Sequence, residues 1–214
     1  MTGKATLQAH WDNVYGTKSA TEVSWYEARP VHSLELVRAT GVRQSDALID
    51  VGAGASLLVN EWLEAGYGDI TVLDLSAEAL GRLRERLGDR GARVTFVRED
   101  VTAFNPTRRY ALWHDRAVFH FLVDAEDRAR YVEALHRAVQ PRGHVILATF
   151  GPEGPQRCSG LPVARYDSAA LARELGSEFQ LADSLLTVHR TPWGAEQQFL
   201  YCRFNRTAGA CAAG

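Results

Sequence analysis

Residues 48–56 read Leu48-Ile49-Asp50-Val51-Gly52-Ala53-Gly54-Ala55-Ser56, and this stretch decides the fold. An apolar run ends at an acid, passes two glycines and gives way to a helical pattern carrying Leu57, Leu58, Trp62 and Leu63. A strand that feeds such a turn can bring backbone close to a ligand, because glycine has no Cβ to clash. Amides at the start of the following helix favour negative charge. The acid discriminates between ligands. A carboxylate at position 50 repels a pyrophosphate and favours a ligand whose near end is a cation. A dinucleotide fingerprint also needs glycine at position 57, where Leu57 stands.

Outward from this turn, apolar strand-like runs alternate with amphipathic helices. Strands are predicted at Ala47–Val51, Ile70–Leu73, Arg93–Val97, Tyr110–Trp113 and Val145–Phe150. Helices are predicted from Ala5 to about Gly16, then over Val31–Thr40, Ser56–Ala65 and Ser168–Leu175. Another opens at Ser76, an N-cap, and places Leu80, Leu83 and Leu87 on one face. A further one is capped by Asp124, buries Tyr131, Leu135 and Ala138, and is closed by Pro141-Arg142-Gly143. Gly41, Gly66 and Gly88 follow three of these helices as stops.

Five strand–helix alternations argue for a doubly wound α/β fold, a parallel sheet covered on both faces. The last runs, Phe179–Val188 and Gln197–Phe204, are joined by the short Thr191-Pro192-Trp193-Gly194 and read as an antiparallel hairpin on the sheet edge. The expected organisation is one structural domain: an N-terminal helical cover over 1–46, a core over 47–206, and a small-residue tail, 207–214, expected to fray.

At 214 residues the chain is long enough for one sizeable core, and 46% hydrophobic with 23% charged residues is ordinary for a globular protein. A net charge of −2 gives no footprint for nucleic acid. No uninterrupted apolar window reaches the ~18 residues of a membrane span. Met1-Thr2-Gly3-Lys4 leads into polar sequence without an apolar signal region. Cys158, Cys202 and Cys211 are far apart and form no metal or disulfide pattern. The chain is therefore expected in a reducing cytoplasm, with no metal, no membrane and no nucleic acid. Its oligomeric state is left open.

In open α/β sheets ligands bind beyond the carboxyl ends of the strands, where the strand order reverses. The residues there are Asp50 to Gly54, Asp74, Asp100 and His114-Asp115-Arg116. Asp74, at the end of the second strand, suits both hydroxyls of a ribose. Asp100, after the third, suits an exocyclic amine of adenine, with the Val101 amide meeting a ring nitrogen. Three acids ending three successive strands, the first on a glycine turn, are unlike scattered surface acids.

This constellation resembles the class I S-adenosylmethionine-dependent methyltransferases. The resemblance runs from about Ala47 to Phe204. The 48–56 segment matches their acid-x-Gly-x-Gly motif, with Ser56 where a third glycine is common. Val72-Leu73-Asp74-Leu75-Ser76 and Val97-Arg98-Glu99-Asp100-Val101 are similar to their ribose and adenine segments, and the terminal hairpin to their sixth and seventh strands. The resemblance implies a Rossmann-like, mostly parallel seven-stranded sheet. It implies S-adenosyl-L-methionine as cofactor and S-adenosyl-L-homocysteine as product. It assigns Asp50, Gly52, Ala53, Gly54, Asp74, Leu75, Asp100, Val101, His114 and Trp25 to the cofactor. Trp113-His114-Asp115-Arg116-Ala117-Val118 further resembles the segment after the fourth strand of thiopurine methyltransferases and of the lysine methyltransferases acting on elongation factor 1A or citrate synthase. Trp11-Asp12-x-x-Tyr15 and Val23-Ser24-Trp25-Tyr26 resemble the aromatic cover of both groups.

Four aromatics, Trp11, Tyr15, Trp25 and Tyr26, precede the sheet and can fold back over it. Ring faces attract cations, and a sulfonium is one. Either Trp25 or Tyr26 lines the site, or these rings only staple the cover to the core. His114 follows the fourth strand and reads either as a base, its ordinary pKa being near neutrality, or as a satisfied helix-start histidine. Arg116 reads as an acceptor-binding cation or as the partner of Asp115. His120 reads as a core histidine and Cys158 as a thiol near the acceptor side. Absence of an Asn-Pro-Pro-Tyr-type amine clamp or a metal triad points to a small, soft or already activated acceptor, such as a thiol. The expected activity is methyl transfer to a small molecule. The alternatives are protein lysine N-methylation, a nicotinamide-dependent oxidoreductase, and a non-catalytic nucleotide-binding module.

Overall fold

A computed structural model describes residues 2–54 and 56–208, so the tail from 209 and Ala55 of the glycine turn lie outside the described residues. Strand β1 (Ala47–Val51) pairs in parallel with β2 (Asp69–Asp74) on one side and β4 (Tyr110–Arg116) on the other. Strand β3 (Val94–Arg98) extends the sheet beyond β2, and β5 (Val139–Phe150) extends it beyond β4. A terminal hairpin, β6 (Phe179–Arg190) and β7 (Glu196–Arg206), closes that side, with β7 antiparallel to β5. The seven strands run β3-β2-β1-β4-β5-β7-β6, the mostly parallel doubly wound sheet expected, and the order reverses between β1 and β4.

Period-2 alternation sorts the side chains into two cores. Leu48 and Leu112 face one layer with α2 (Val31–Thr40), α3 (Leu58–Glu64) and α4 (Ala77–Leu87). Ile49, Val51 and Trp113 face the other, with α5 (Ala125–Ala138) and α6 (Ser168–Leu175). Helix α1 (Thr2–Thr17) lies against α4: the Ser76 hydroxyl, which accepts the Ala79 N–H as the α4 cap, donates to Asp12 Oδ1 at 2.6 Å. No helix among the described residues is long and apolar enough to cross a membrane.

Several boundaries differ from the sequence reading, three of them for a clear local reason. Helix α3 begins at Leu58, because the Ser56 hydroxyl accepts the Leu58 N–H two residues on and makes a turn before the helix rather than a cap within it. Strand β4 continues from Trp113 to Arg116 because its polar end is still paired with β5. Strand β5 begins at Val139, so Pro141-Arg142-Gly143 lies inside it. An irregularity against β4 between Tyr110 and Leu112 accommodates those residues, and Arg142 takes φ 62°.

Candidate active site

The topological reversal places the carboxyl ends of β1 and β4 side by side, and a cleft of about 820 Å³ opens there. Its floor is the glycine turn. Gly52 has φ 63° and donates its N–H to Leu73 O at 2.7 Å, which ties the turn to β2. A Cβ on Gly52 would overlap the Val118 side chain, and one on Gly54, at φ 47°, would overlap the Tyr15 hydroxyl. Both glycines are therefore required by conformation and by close approach.

Asp74 ends β2 and lines the cleft together with Leu75. Its Oδ2 accepts the Gly54 N–H at 2.9 Å and its Oδ1 accepts the Ser76 N–H at 2.8 Å. Burial pushes this carboxyl up to about 6 against the pull of those two N–H groups. A carboxylate has about four lone-pair sites, so roughly two stay open toward the cleft. Asp100 lines the same end with Glu99 and Val101. Its Oδ1 accepts both the Thr102 N–H at 2.9 Å and the Thr102 hydroxyl at 2.8 Å, which fixes its rotamer.

The opposite end is aromatic. Trp11 lies edge-on to Trp25 at 5.8 Å and to Phe121 at 5.1 Å, and Tyr15 meets Trp25 at 6.2 Å; all four line the cleft. Arg116, Ala117, Val118 and Cys158 complete that wall. Burial pushes the Cys158 thiol up, away from the thiolate. Tyr15, Trp25, Gly52 and Arg116 also line a second cavity of about 460 Å³, across the glycine turn, with Ala53, Ser56, Leu57, Tyr26 and Glu27. Tyr26 thus stands beside the turn and not in the main cleft.

Arg116 is held by its surroundings. Its Nε donates to the Tyr201 hydroxyl and its Nη1 to Trp25 O, each at 2.9 Å. Nη2 lies 3.2 Å from Glu27 Oε1, and the guanidinium stacks over Phe199 at 4.8 Å. The ion pair expected with Asp115 is not formed, because successive strand residues point to opposite faces. Asp115 faces α5 instead. Its Oδ1 accepts the Val118 N–H at 2.8 Å, and its Oδ2 accepts the Phe119 N–H at 3.1 Å and the Tyr131 hydroxyl at 2.7 Å. Tyr131 in turn accepts from Trp113 Nε1 at 2.8 Å. Asp115 thereby holds the turn in which Ala117 takes φ 73°.

Asp50 and His114 lie beneath the turn and line neither cavity. They are register partners on adjacent strands, and both side chains project to the α2–α3 face. His114 Nδ1 is 2.7 Å from Asp50 Oδ1, and His114 Nε2 is 2.9 Å from Ser33 Oγ. Asp50 Oδ2 is buried with no hydrogen-bond partner in the structure. His120 also lines neither cavity. It packs between Phe121 and Phe150, accepts the Phe150 N–H at 3.3 Å, and is pushed down to about 3 by burial, with Arg116 adding to the shift.

Sequence reasoning missed Ser33, Glu27 and Phe121. For Ser33 a signal existed: a small polar residue at helical spacing from Leu36 and Val37, on the buried face of α2. Glu27 and Phe121 carried none, since only the folded chain brings them to Arg116 and Trp11.

Residues 48–143 match the family described as Methyltransferase domain. Two curated relatives are a malonyl-[acyl-carrier protein] O-methyltransferase of Ilyobacter polytropus and a ubiquinone biosynthesis O-methyltransferase of Pectobacterium carotovorum. The first is 27% identical over 112 residues, 52% of this chain and 40% of that protein. The second is 28% identical over 130 residues, 58% of this chain and 54% of that protein. The chain thus spans about half the length of the curated relatives it matches. Two solved structures share the fold. One concerns conversion of a disulfide bond into a thioacetal group during echinomycin biosynthesis, with TM-score 0.77 at 17% identity over 96% of this chain and 93% of that one. The other is Burkholderia thailandensis 1,6-didemethyltoxoflavin-N1-methyltransferase with S-adenosylhomocysteine bound, with TM-score 0.67 at 20% identity over 95% and 87%. Residues 48–143 are thus similar to a methyltransferase domain, and the fold is one that solved methyltransferases share.

Proposed function

We propose that this chain methylates a small, largely apolar acceptor whose nucleophilic atom is soft or already ionised, a thiol being the simplest case. The carrying observation is the lining of the cleft: acids at one end, four aromatic rings at the other, and, among the described residues, no histidine or lysine between them. The residues fit S-adenosylmethionine. Asp74 keeps acceptor capacity for a ribose diol, and Asp100 and Val101 suit adenine. Gly52 and Ala53, which line the second cavity, suit the amino-acid end, with Asp50 buried beneath them. The second cavity, beside Gly52 and Ala53, adds room for that end, and Glu27 there is paired with Arg116.

The cofactor, when bound, supplies a methyl group on a sulfonium, which an acceptor takes by direct displacement. The protein's part is orientation and desolvation. Trp11, Trp25 and Phe121 exclude water, and their ring faces suit a cationic centre. Arg116 keeps the wall in place through Trp25 O and Tyr201, while its Nη2, in ion-pair reach of Glu27, makes no hydrogen bond. A protonated amine or an un-ionised hydroxyl would need a base here, and both nearby histidines lie outside the cleft.

Calorimetry with S-adenosylhomocysteine and with NADH tests the cofactor; NADH binding without S-adenosylhomocysteine binding sinks the proposal. Labelled cofactor offered to thiols, phenols, amines and lysate proteins tests the acceptor, and the label is expected on thiols. Transfer only to protein lysines would reassign the activity. Trp25→Ala removes the ring contacts with Trp11 and Tyr15 and opens the aromatic end of the cleft to water, so S-adenosylhomocysteine affinity and turnover should both drop. Unchanged affinity and turnover would limit Trp25 to stapling the cover.

A further inference from the structure

The two edges of the sheet are built differently. Strand β3, at one edge, is five residues long, ends at Arg98, and carries the Arg84 guanidinium over Phe96 at 4.3 Å. Short length and flanking charge keep a sheet edge from pairing with another chain. Strand β6, at the other edge, is 12 residues long and contains neither proline nor lysine. Among the described residues no strand lies on its outer side. From Asp183 to Arg190 it pairs with β7 without a shift, and its one irregularity lies near its start, between Leu181 and Asp183. Among the described residues seven large apolar side chains stand exposed, and five belong to this hairpin: Leu181, Leu185, Leu186 and Val188 on β6, and Trp193 in the turn. Leu186 and Val188 share a face of the strand and are 55% and 56% exposed; Trp193 is 60% exposed.

A long, regular, apolar edge is a template for strand addition. We propose that β6 pairs antiparallel with β6 of a second copy of this chain, about a two-fold axis at Thr187. Self-complementarity selects both the occupant and the axis. With the axis there, Leu186 of each copy stands opposite Val188 of the other, Thr187 stands opposite itself, and Arg190 stands opposite Ser184. Asp183 falls opposite Thr191, so no like charges meet. The turn that bears Trp193 comes to the end of the second copy's strand where Leu181 is exposed. The exposed parts of the five side chains amount to roughly 300 Å² of apolar surface per copy. With apolar groups forming about 60% of an interface, the pair buries about 1,000 Å² in total, the size at which a specific interface begins. The pairing also bears on the cleft. Thr187 Oγ1 lies 3.2 Å from His32 Nε2, and His189 Nε2 donates to Ser24 O at 2.6 Å, next to Trp25 of the cleft wall. A second copy that braces β6 thereby braces the N-terminal cover.

Sedimentation velocity on the full chain, over a concentration series, is expected to show a monomer–dimer equilibrium. Its dissociation constant should be on the order of micromolar, suited to an interface near the lower size bound. Leu186→Lys combined with Val188→Lys changes two exposed side chains and sets lysine opposite lysine. This variant should fold like the native chain by circular dichroism and weaken the dimer about tenfold or more. Thr187→Cys, in a chain that also carries Cys211→Ser, reads the register, since Cys158 and Cys202 are buried. Oxidation should link two copies of that variant through a disulfide across the axis, and should not link copies of Gln180→Cys in the same background. A native chain that stays monomeric well above micromolar concentration would overturn the proposal and leave the edge to a different protein. A dimer untouched by the two lysines would place the contact elsewhere and overturn it as well. Neither result touches the methyl-transfer reading, which the proposal does not need.

Discussion

Asp74→Asn probes the adenosyl end of the cleft most directly. In the native chain each oxygen of Asp74 already accepts one backbone N–H, from Gly54 and Ser76, and a ribose diol would bring two more donors. The amide keeps one accepting oxygen and sets an NH₂ group where the other stood, facing a donor. At least one ribose hydroxyl then loses a charged acceptor worth ~1.5–3 kcal/mol, which predicts S-adenosylhomocysteine binding about 10–150-fold weaker. The pH dependence is a second readout. The native carboxyl is pushed up to about 6 by burial, so below that pH the free protein holds a proton that the ligand must displace. Native affinity should fall about tenfold per pH unit below pH 6, whereas the variant should be flat across this range. The same shift has a sign for stability. The folded-state value exceeds the ordinary 3.8, so the fold binds the proton more tightly than the unfolded chain does. Stability is therefore higher below pH 3.8, declines as pH rises toward about 6, and is level above, by an amount on the order of 3 kcal/mol. Asp115, also pushed up to about 6, declines in the same window, so the variant should lose only part of it. Calorimetric titration from pH 5 to 8 and chemical denaturation over pH 3.5 to 8 measure both. Binding within threefold of native, or an identical pH slope in the two proteins, would refute the assignment of Asp74 to the ribose.

Gly52→Ala should destabilise the fold by ~2–5 kcal/mol, from left-handed backbone strain together with overlap on Val118; a denaturation midpoint equal to native would contradict the described turn. Tyr131→Phe leaves Trp113 Nε1 without an acceptor and removes a donor from Asp115, costing ~1–3 kcal/mol. At ~2–4 °C per kcal/mol its melting temperature should drop by several degrees, with S-adenosylhomocysteine affinity within twofold of native.

Local chemistry made much of this molecule legible. The glycine turn, the acid after β2 and the Ser76 cap are each set by residues within a few positions of one another, and they sit where alternation and capping preferences put them. Distant pairing was less legible. Asp50 and His114 are both conspicuous in sequence, yet their contact depends on the register of β1 against β4, which neither strand encodes alone. Arg116 and Asp115 are neighbours in the chain and point apart, and the cation finds Glu27 of the cover instead. The start of β5 hid behind Pro141 and Gly143, residues that break regular structure in isolation and that an irregular strand absorbs.

The wall of the cleft has two origins. Asp74, Asp100, Val101 and Val118 come from the stretch shared with the methyltransferase family, whereas Trp11, Tyr15, Trp25 and Cys158 lie outside residues 48–143. Selection can therefore act on the two halves separately. Drift in the first thirty residues, or in the segment after β5, would reshape the aromatic end of the cleft while leaving in place the strand ends that carry the acids. Likeness to relatives will accordingly track the cofactor, and proteins nearly superimposable through the sheet can diverge in what they methylate. Exchanging the cover between two such chains is the evolutionary step the architecture makes easiest.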